Sequence, residues 1–144
     1  MRLARVLFND NSIHFMNNSK LIYYKNFQEQ LNHFKKWISD NNLNIEDYCV
    51  TASSILSMYG LREGDDLDYL HNGDKIVGHD MVHSHNEYSH GRYHTNKDDI
   101  IYNPSNHFYY DDIKFASLDV VKQLKEKRGE PKDYVDLELI ESVQ

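Results

Sequence analysis

Cysteine is almost absent. Cys49 stands alone, so no disulfide can form within one chain, which fits a reducing compartment. It lies inside an apolar run, where a thiol behaves as a small buried hydrophobe. Long apolar runs are missing as well: nothing approaches the ~18 residues that suggest a membrane-crossing helix. The N-terminal stretch MRLARVLFND has basic residues but no long apolar core and no small-residue cleavage site. It reads poorly as a signal peptide, so the cytoplasm is the expected location. Positive charge is scarce: 16 Lys and Arg stand against 23 Asp and Glu, a net charge of −7. That balance excludes a broad nucleic-acid surface, which needs clustered cations, but not a small nucleotide held through a metal. No repeat, low-complexity tract or linker divides the 144 residues. One domain over residues 1–144 is expected, large enough for a core without staples.

What the chain does have is aromatic and acidic. Eleven Tyr and six Phe carry much of the expected core, with Tyr at boundaries where its hydroxyl stays wet. Residues 52–70, ASSILSMYGLREGDDLDYL, end in Asp66 and Asp68 with Leu67 between them. In a strand, side chains at i and i+2 share a face, so both carboxylates look one way while Leu67 and Tyr69 look the other. Two like charges that close are costly unless a cation sits between them. A few hard oxygen ligands suit Mg2+ (or Mn2+), which fills its shell with water and substrate phosphate. Upstream, Tyr48 to Thr51 reads as a short strand and Ser53 to Tyr59 as a short helix. Such a junction offers free N–H groups to a phosphate, which makes Ser53 and Ser54 candidate phosphate-binding residues. Gly60 is placed to end the helix in the left-handed region.

Elsewhere the pattern is mixed. Residues 3–8 read as a strand or a helical turn, and the runs at 13–16 and 21–25 suggest a hairpin. Phe27, Leu31, Phe34 and Ile38 form one helical stripe from Asn26 to Asp40, with Asn26 as the cap and Glu29 in the capping-box position. Asn72-Gly73 signals a hairpin. It would lead into a strand, Lys75 to Val82, antiparallel to the acidic one, with Asp80 as a third carboxylate. Residues 83–97 are rich in His and Asn and read as a loop over the pocket, in which Arg92 and the histidines would touch a phosphate. His83 and His85 share a strand face; the five histidines at 79, 83, 85, 90 and 94 lack the fixed spacing of a structural zinc site. Asp98 to Asn103 reads as a strand ended by Pro104. Asp111-Asp112 reads as a hairpin turn, with Asp111 a fallback third acid. Ser117 caps a helix to Arg128 whose Lys and Arg complement its dipole. Gly129 stops that helix, and Pro131 opens the last one. The expected class is α+β, a mixed sheet with helices packed mainly on one face.

Ser53-Ser54 followed by Asp66-Leu67-Asp68 resembles the nucleotidyltransferase fold of the polymerase-β type. That family has a Gly-Gly or Gly-Ser pair, a spacer and then acid–apolar–acid. The spacer fits, while Ala52 or Ser53 stands where the family has glycine. Gly60-Leu61-Arg62 matches the family's Gly-x-Arg, and Lys132-Asp133-Tyr134-Val135-Asp136 its Lys-Asp-x-x-Asp helix start. The stretches YGLREGDDLDYL, IIYNP, FYYDDIKF and KRGEPKDYVDLELI are similar to a domain of bacterial surface-polysaccharide proteins with this fold, over roughly residues 1–142. The resemblance implies a metal-dependent nucleotidyltransferase. Asp66 and Asp68 would bind metal, with Asp80 as the third catalytic acid. Ser53, Ser54, Arg62 and Lys132 would meet a nucleoside triphosphate. The acceptor would be a sugar phosphate, polyol phosphate or glycan, and a partner chain or homo-oligomer would supply what a short chain lacks. Two other readings stand beside it: a non-catalytic module of the same fold binding a nucleotide or partner, and a zinc-dependent hydrolase built on the histidines.

Overall fold

The computed structural model describes residues 24–73 and 81–144 with their side chains, and residues 3–7 and 13–17 as backbone. A mixed sheet runs through these residues. Its central strands are β3 (Tyr48–Thr51), β4 (Leu67–His71), β5 (Val82–Ser84), β6 (His107–Tyr110) and β7 (Ile113–Ala116). Beyond β6 lie β1 (Leu3–Leu7) and then β2 (Ile13–Asn17), giving the order β2-β1-β6-β7-β3-β4-β5. The β6–β7 turn is Asp111-Asp112, both left-handed at φ 53° and 62°. A two-residue hairpin needs that geometry, and Asp tolerates it. Asp111 also pairs with Lys35 at 2.6 Å, so it serves the turn and not an acid cluster.

The expected stripe forms the inner face of α1 (Lys25–Asp40), where Phe27, Leu31, Phe34 and Ile38 are all buried. Tyr24, not Asn26, stands at its N-terminus, without a side-chain cap. Phe34 lies 5.5 Å from the Tyr69 ring and 6.1 Å from the Tyr48 ring, centroid to centroid, so α1 covers the sheet face of Tyr48 and Tyr69.

Two expectations are corrected. Residues 98–103 are not a strand: Lys97–Tyr102 forms helix α3, after the short α2 (Ser54–Met58). Asn96 caps α3 by accepting from the Asp98 N–H, and Asp98 and Asp99 sit in its first turn, both favourable there. Helices lie on both faces of the sheet, α1 on one and α3 on the other. Lys114, which pairs with Cys49 on the face opposite Tyr48, donates to the Ile101 carbonyl of α3 at 2.8 Å. Finally, β5 runs parallel to β4, with Leu67 opposite Val82 and Asp68 opposite His83, not antiparallel across a hairpin. Residues 74–80, and with them Asp80, lie outside the described residues. At the N-terminus β2 pairs with β1, and Lys25 already belongs to α1; residues 21–23 lie outside the described residues.

The chain closes with α4 (Leu118–Arg128) and α5 (Pro131–Glu141). Ser117 caps α4 and Gly129 ends it at φ 61°, as the sequence predicts. Cys49 is fully buried, and burial pushes its thiol up to about 12, so it is an unreactive core side chain. Among the described residues no helix is long and apolar enough to cross a membrane.

Candidate functional site

β4 does what its alternation demands. Leu67 and Tyr69 are fully buried on one face, while Asp66 and Asp68 open together into a cleft on the other side. Asp65 lines the same cleft. Asp68 sits in a row across three strands, opposite Thr51 on β3 and His83 on β5. Its carboxyl is pushed up to about 6, chiefly by burial and then by the Asp66 charge, against the pull of His83, Arg128 and Lys125. Negative charge at this point is therefore under-compensated by the protein itself.

The second wall is the β3–α2 junction. Ala52 adopts φ 60° and is 7 % exposed. It stands at a position that favours glycine, at a cost of roughly 1–2 kcal/mol for a residue with a Cβ. The turn from β3 into α2 is thus left-handed with an alanine in it. The turn brings Ser53 into the cleft. Ser54 does not reach it: the side chain is buried and its hydroxyl donates to the Asp66 carbonyl at 3.5 Å. Its side chain ties the start of α2 to the residue that precedes β4.

The third wall is cationic and comes from Arg62, Lys125, Arg128 and Lys132. Two buried carboxylates at the start of α5 organise it. Asp136 takes a bidentate pair from Arg62, Nε at 2.6 Å and Nη2 at 2.7 Å, and a third contact from Lys125 Nζ at 2.8 Å. Asp133 takes a bidentate pair from Arg128 at 2.8 and 2.5 Å and accepts from the Glu130 N–H at 3.0 Å. One helical turn separates the two acids, so they share a face of α5. Burial raises both carboxyls, but these hydrogen bonds and charges outweigh it and hold both below the ordinary carboxylate range. The sequence pattern of α4 makes Lys125 one of several dipole-complementing cations. In the fold it is 1 % exposed, with its amine pushed down by burial and partly restored by Asp136.

Arg62 is committed elsewhere. Besides Asp136, it donates to the Glu63 carbonyl at 3.0 Å and to Ser53 Oγ at 3.1 Å. Lys125 Nζ also donates to Ser53 Oγ, at 3.3 Å. With two cations on its lone pairs, the Ser53 hydroxyl can only donate its own proton elsewhere. Lys132 is the most open of these cations, with 66 % of its side chain exposed and Glu130 3.7 Å away.

The histidine-rich stretch is a folded wall rather than a loose loop. Tyr93 is 4 % exposed. Its hydroxyl bridges Thr51 Oγ1 at 3.1 Å and His85 Nδ1 at 2.8 Å. Burial, then Arg92 and Arg128, push the His85 imidazole down to about 4, so the ring is neutral near pH 7. Its Nε2 faces Asp68 Oδ2 at 3.8 Å, and His83 Nε2 faces Asp66 Oδ2 at 3.7 Å. Arg92 stacks on the Tyr88 ring, 3.8 Å from its centroid. His90 lines a separate cleft with Asn72 and Asn86, and His94 is exposed. Among the described residues no three His, Cys, Asp or Glu groups stand close enough, as placed, to hold a metal.

The structure therefore gathers Ser53, Arg62, Asp66, Asp68 and Lys132 around one cleft of about 160 Å3. It turns Ser54 away, and Asp80 falls outside the described residues. Lys125, Arg128 and the Thr51–Tyr93 pair that holds His85 are the members that sequence reasoning missed. No family model, curated protein or solved structure matches this chain.

Proposed function

We propose that the chain is a metal-dependent enzyme of the nucleotidyltransferase type, with a polymerase-β-like site, moving a nucleotidyl group from a nucleoside triphosphate to a small or glycan-related acceptor. The observation that carries this reading is one cleft with an acidic wall and a cationic wall. Asp65, Asp66 and Asp68 face it from one side, and Lys125, Arg128 and Lys132 from the other. A phosphate chain bridged to a divalent cation has that charge pattern. The cleft is below the ~300–1,000 Å3 of a whole-ligand pocket, so it suits the phosphates while base and sugar lie outside.

The donor chemistry fits a hard divalent cation. Two carboxylates share one strand face, and Asp68 is raised by burial and by Asp66, a strain that a cation relieves. Bound Mg2+ or Mn2+ would supply charge neutralisation on the transferring group. The protein's own part is positioning and electrostatics. Ser53 donates its hydroxyl proton to a phosphate oxygen, aimed by Arg62 and Lys125. Arg128 and Lys132 attract the anion, Arg128 being fixed in orientation by its bidentate pair. Arg62 acts through Ser53 and Asp136 and is a positioning residue.

Release of pyrophosphate from ATP, CTP, GTP or UTP, with Mg2+ or Mn2+ and a panel of sugar phosphates, polyol phosphates and glycans, tests the reading. Transfer to one of these acceptors supports it. Binding without transfer favours a non-catalytic module of the same fold. Neither binding nor transfer would remove both. Ser53→Ala is expected to weaken triphosphate binding about 10-fold, the value of roughly one charge-assisted hydrogen bond. Calorimetry checks this, and an unchanged affinity would take Ser53 out of the site.

A further inference from the structure

We propose that His83 and His85 join Asp66 and Asp68 in a mixed imidazole–carboxylate site that takes a first-row transition cation in preference to Mg2+. The proposal rests on the metal-dependent reading above and specifies its metal.

Parallel pairing of β4 with β5 sets His83 directly beside Asp68. His85 stands just beyond β5, and its imidazole turns toward Asp68 as well. Two histidines and two aspartates thus share one side of two adjacent strands. The pairs His83–Asp66 and His85–Asp68 have nitrogen-to-oxygen separations of 3.7 and 3.8 Å. Both are too long for a hydrogen bond. A tetrahedral cation with ligands at about 2.1 Å would set such atoms about 3.4 Å apart. Each pair is thus within a few tenths of an ångström of the spacing that one ion sets, while side-chain rotation must bring the two pairs together, since no three of these groups converge as placed.

His85 is the decisive member. It is 7 % exposed, and among the described residues its Nε2 has no hydrogen-bond partner, only the Asp68 carboxylate beyond bonding reach. The other nitrogen, Nδ1, is held by Tyr93, itself held by Thr51. When Nδ1–H donates to Tyr93 and Tyr93 donates to Thr51, the Nε2 lone pair points at Asp68. A second-sphere partner on the far nitrogen is how ligating histidines are oriented. Imidazole nitrogen is a donor for Mn2+, Fe2+ or Zn2+, whereas Mg2+ favours oxygen.

The test is pulsed electron paramagnetic resonance on the full chain loaded with Mn2+, made once with natural histidine and once with 15N-histidine. The expected result is nitrogen modulation that changes frequency with the label. Mn2+ is also expected to bind at least ~10-fold more tightly than Mg2+, with Tyr93→Phe weakening Mn2+ about 10-fold through lost orientation of His85. Mn2+ bound with no histidine modulation would overturn the proposal and leave an oxygen-only site at Asp66 and Asp68. No bound Mn2+ at all would overturn both this proposal and the reading beneath it. The isotope comparison uses unmutated protein, so it does not depend on any variant folding.

Discussion

Asp66→Asn combined with Asp68→Asn is expected to abolish transfer and divalent-cation binding while the protein stays folded. Asparagine keeps the size of each side chain and removes both charges. Placed charge in a partly closed site contributes on the order of 10²–10³ in rate per group. A pair acting as one unit therefore costs at least ~10³-fold, with no gain from adding the second change to the first. The fold should not merely survive. In metal-free protein, Asp68 is pushed up to about 6 by burial and by Asp66. A carboxyl whose folded value lies above its unfolded value destabilises the native state wherever it is ionised. That penalty is absent below about pH 4 and complete above about pH 6. The metal-free double variant should therefore melt higher than the parent near neutral pH, and the gap should close on acidification. Thermal melts without metal check this beside the transfer assay. Transfer retained within about 10-fold of the parent would remove the acids from the reaction.

Asp136→Ala is expected to cost about 3–5 kcal/mol of stability, the loss typical of breaking one side of a buried ion pair. Lys125 is 1 % exposed, and Asp136 is its nearest counter-charge at 2.8 Å, with Asp133 at 3.9 Å. Removing Asp136 leaves that ammonium under-compensated and releases Arg62, which aims Ser53. Lys125→Met should cost less, since an apolar stem fills the same space and Asp136 keeps Arg62. The network also sets the acid limit of the fold. Asp133 and Asp136 are held below the ordinary range: burial raises them, but Arg128 and the Glu130 N–H, and Arg62 and Lys125, respectively, outweigh it. Carboxyls with depressed folded values add stability above their unfolded value, near pH ~4, and lose it as pH falls through the folded one. Urea midpoints followed downward from neutral pH should fall steeply below about pH 4 in the parent and less steeply in Asp136→Ala. A cost below about 1 kcal/mol would mean that Lys125 finds another partner, and the network would not be what holds the cationic wall.

Local pattern carried much of this structure. The four-three-four spacing of Phe27, Leu31, Phe34 and Ile38 became the buried stripe of α1. The alternation around Asp66 and Asp68 became a strand with buried Leu67 and Tyr69. Ser117, Gly129 and Pro131 bounded the last helices because capping chemistry acts within a few residues. What local pattern hid was tertiary. The short run Ile100-Ile101-Tyr102 suits a strand or one helical turn equally, and the Asn96 cap with two following acids was the discriminating signal. Burial of Lys125 depends on Asp133 and Asp136, which arrive from the next helix. That His83 and His85 share a face was legible; that this face is the one carrying Asp66 and Asp68 follows from parallel pairing, which no property of residues 82–85 announces. The left-handed turn at Ala52 was masked by its residue type, since glycine normally marks that conformation.

The most direct test of the account is anomalous diffraction from crystals soaked with Mn2+ and a mixture of nucleoside triphosphates. The account predicts a manganese peak within ligating distance of both Asp66 and Asp68, with the phosphate chain running toward Ser53, Arg128 and Lys132. Manganese bound elsewhere, or a triphosphate that avoids this cleft, would contradict it.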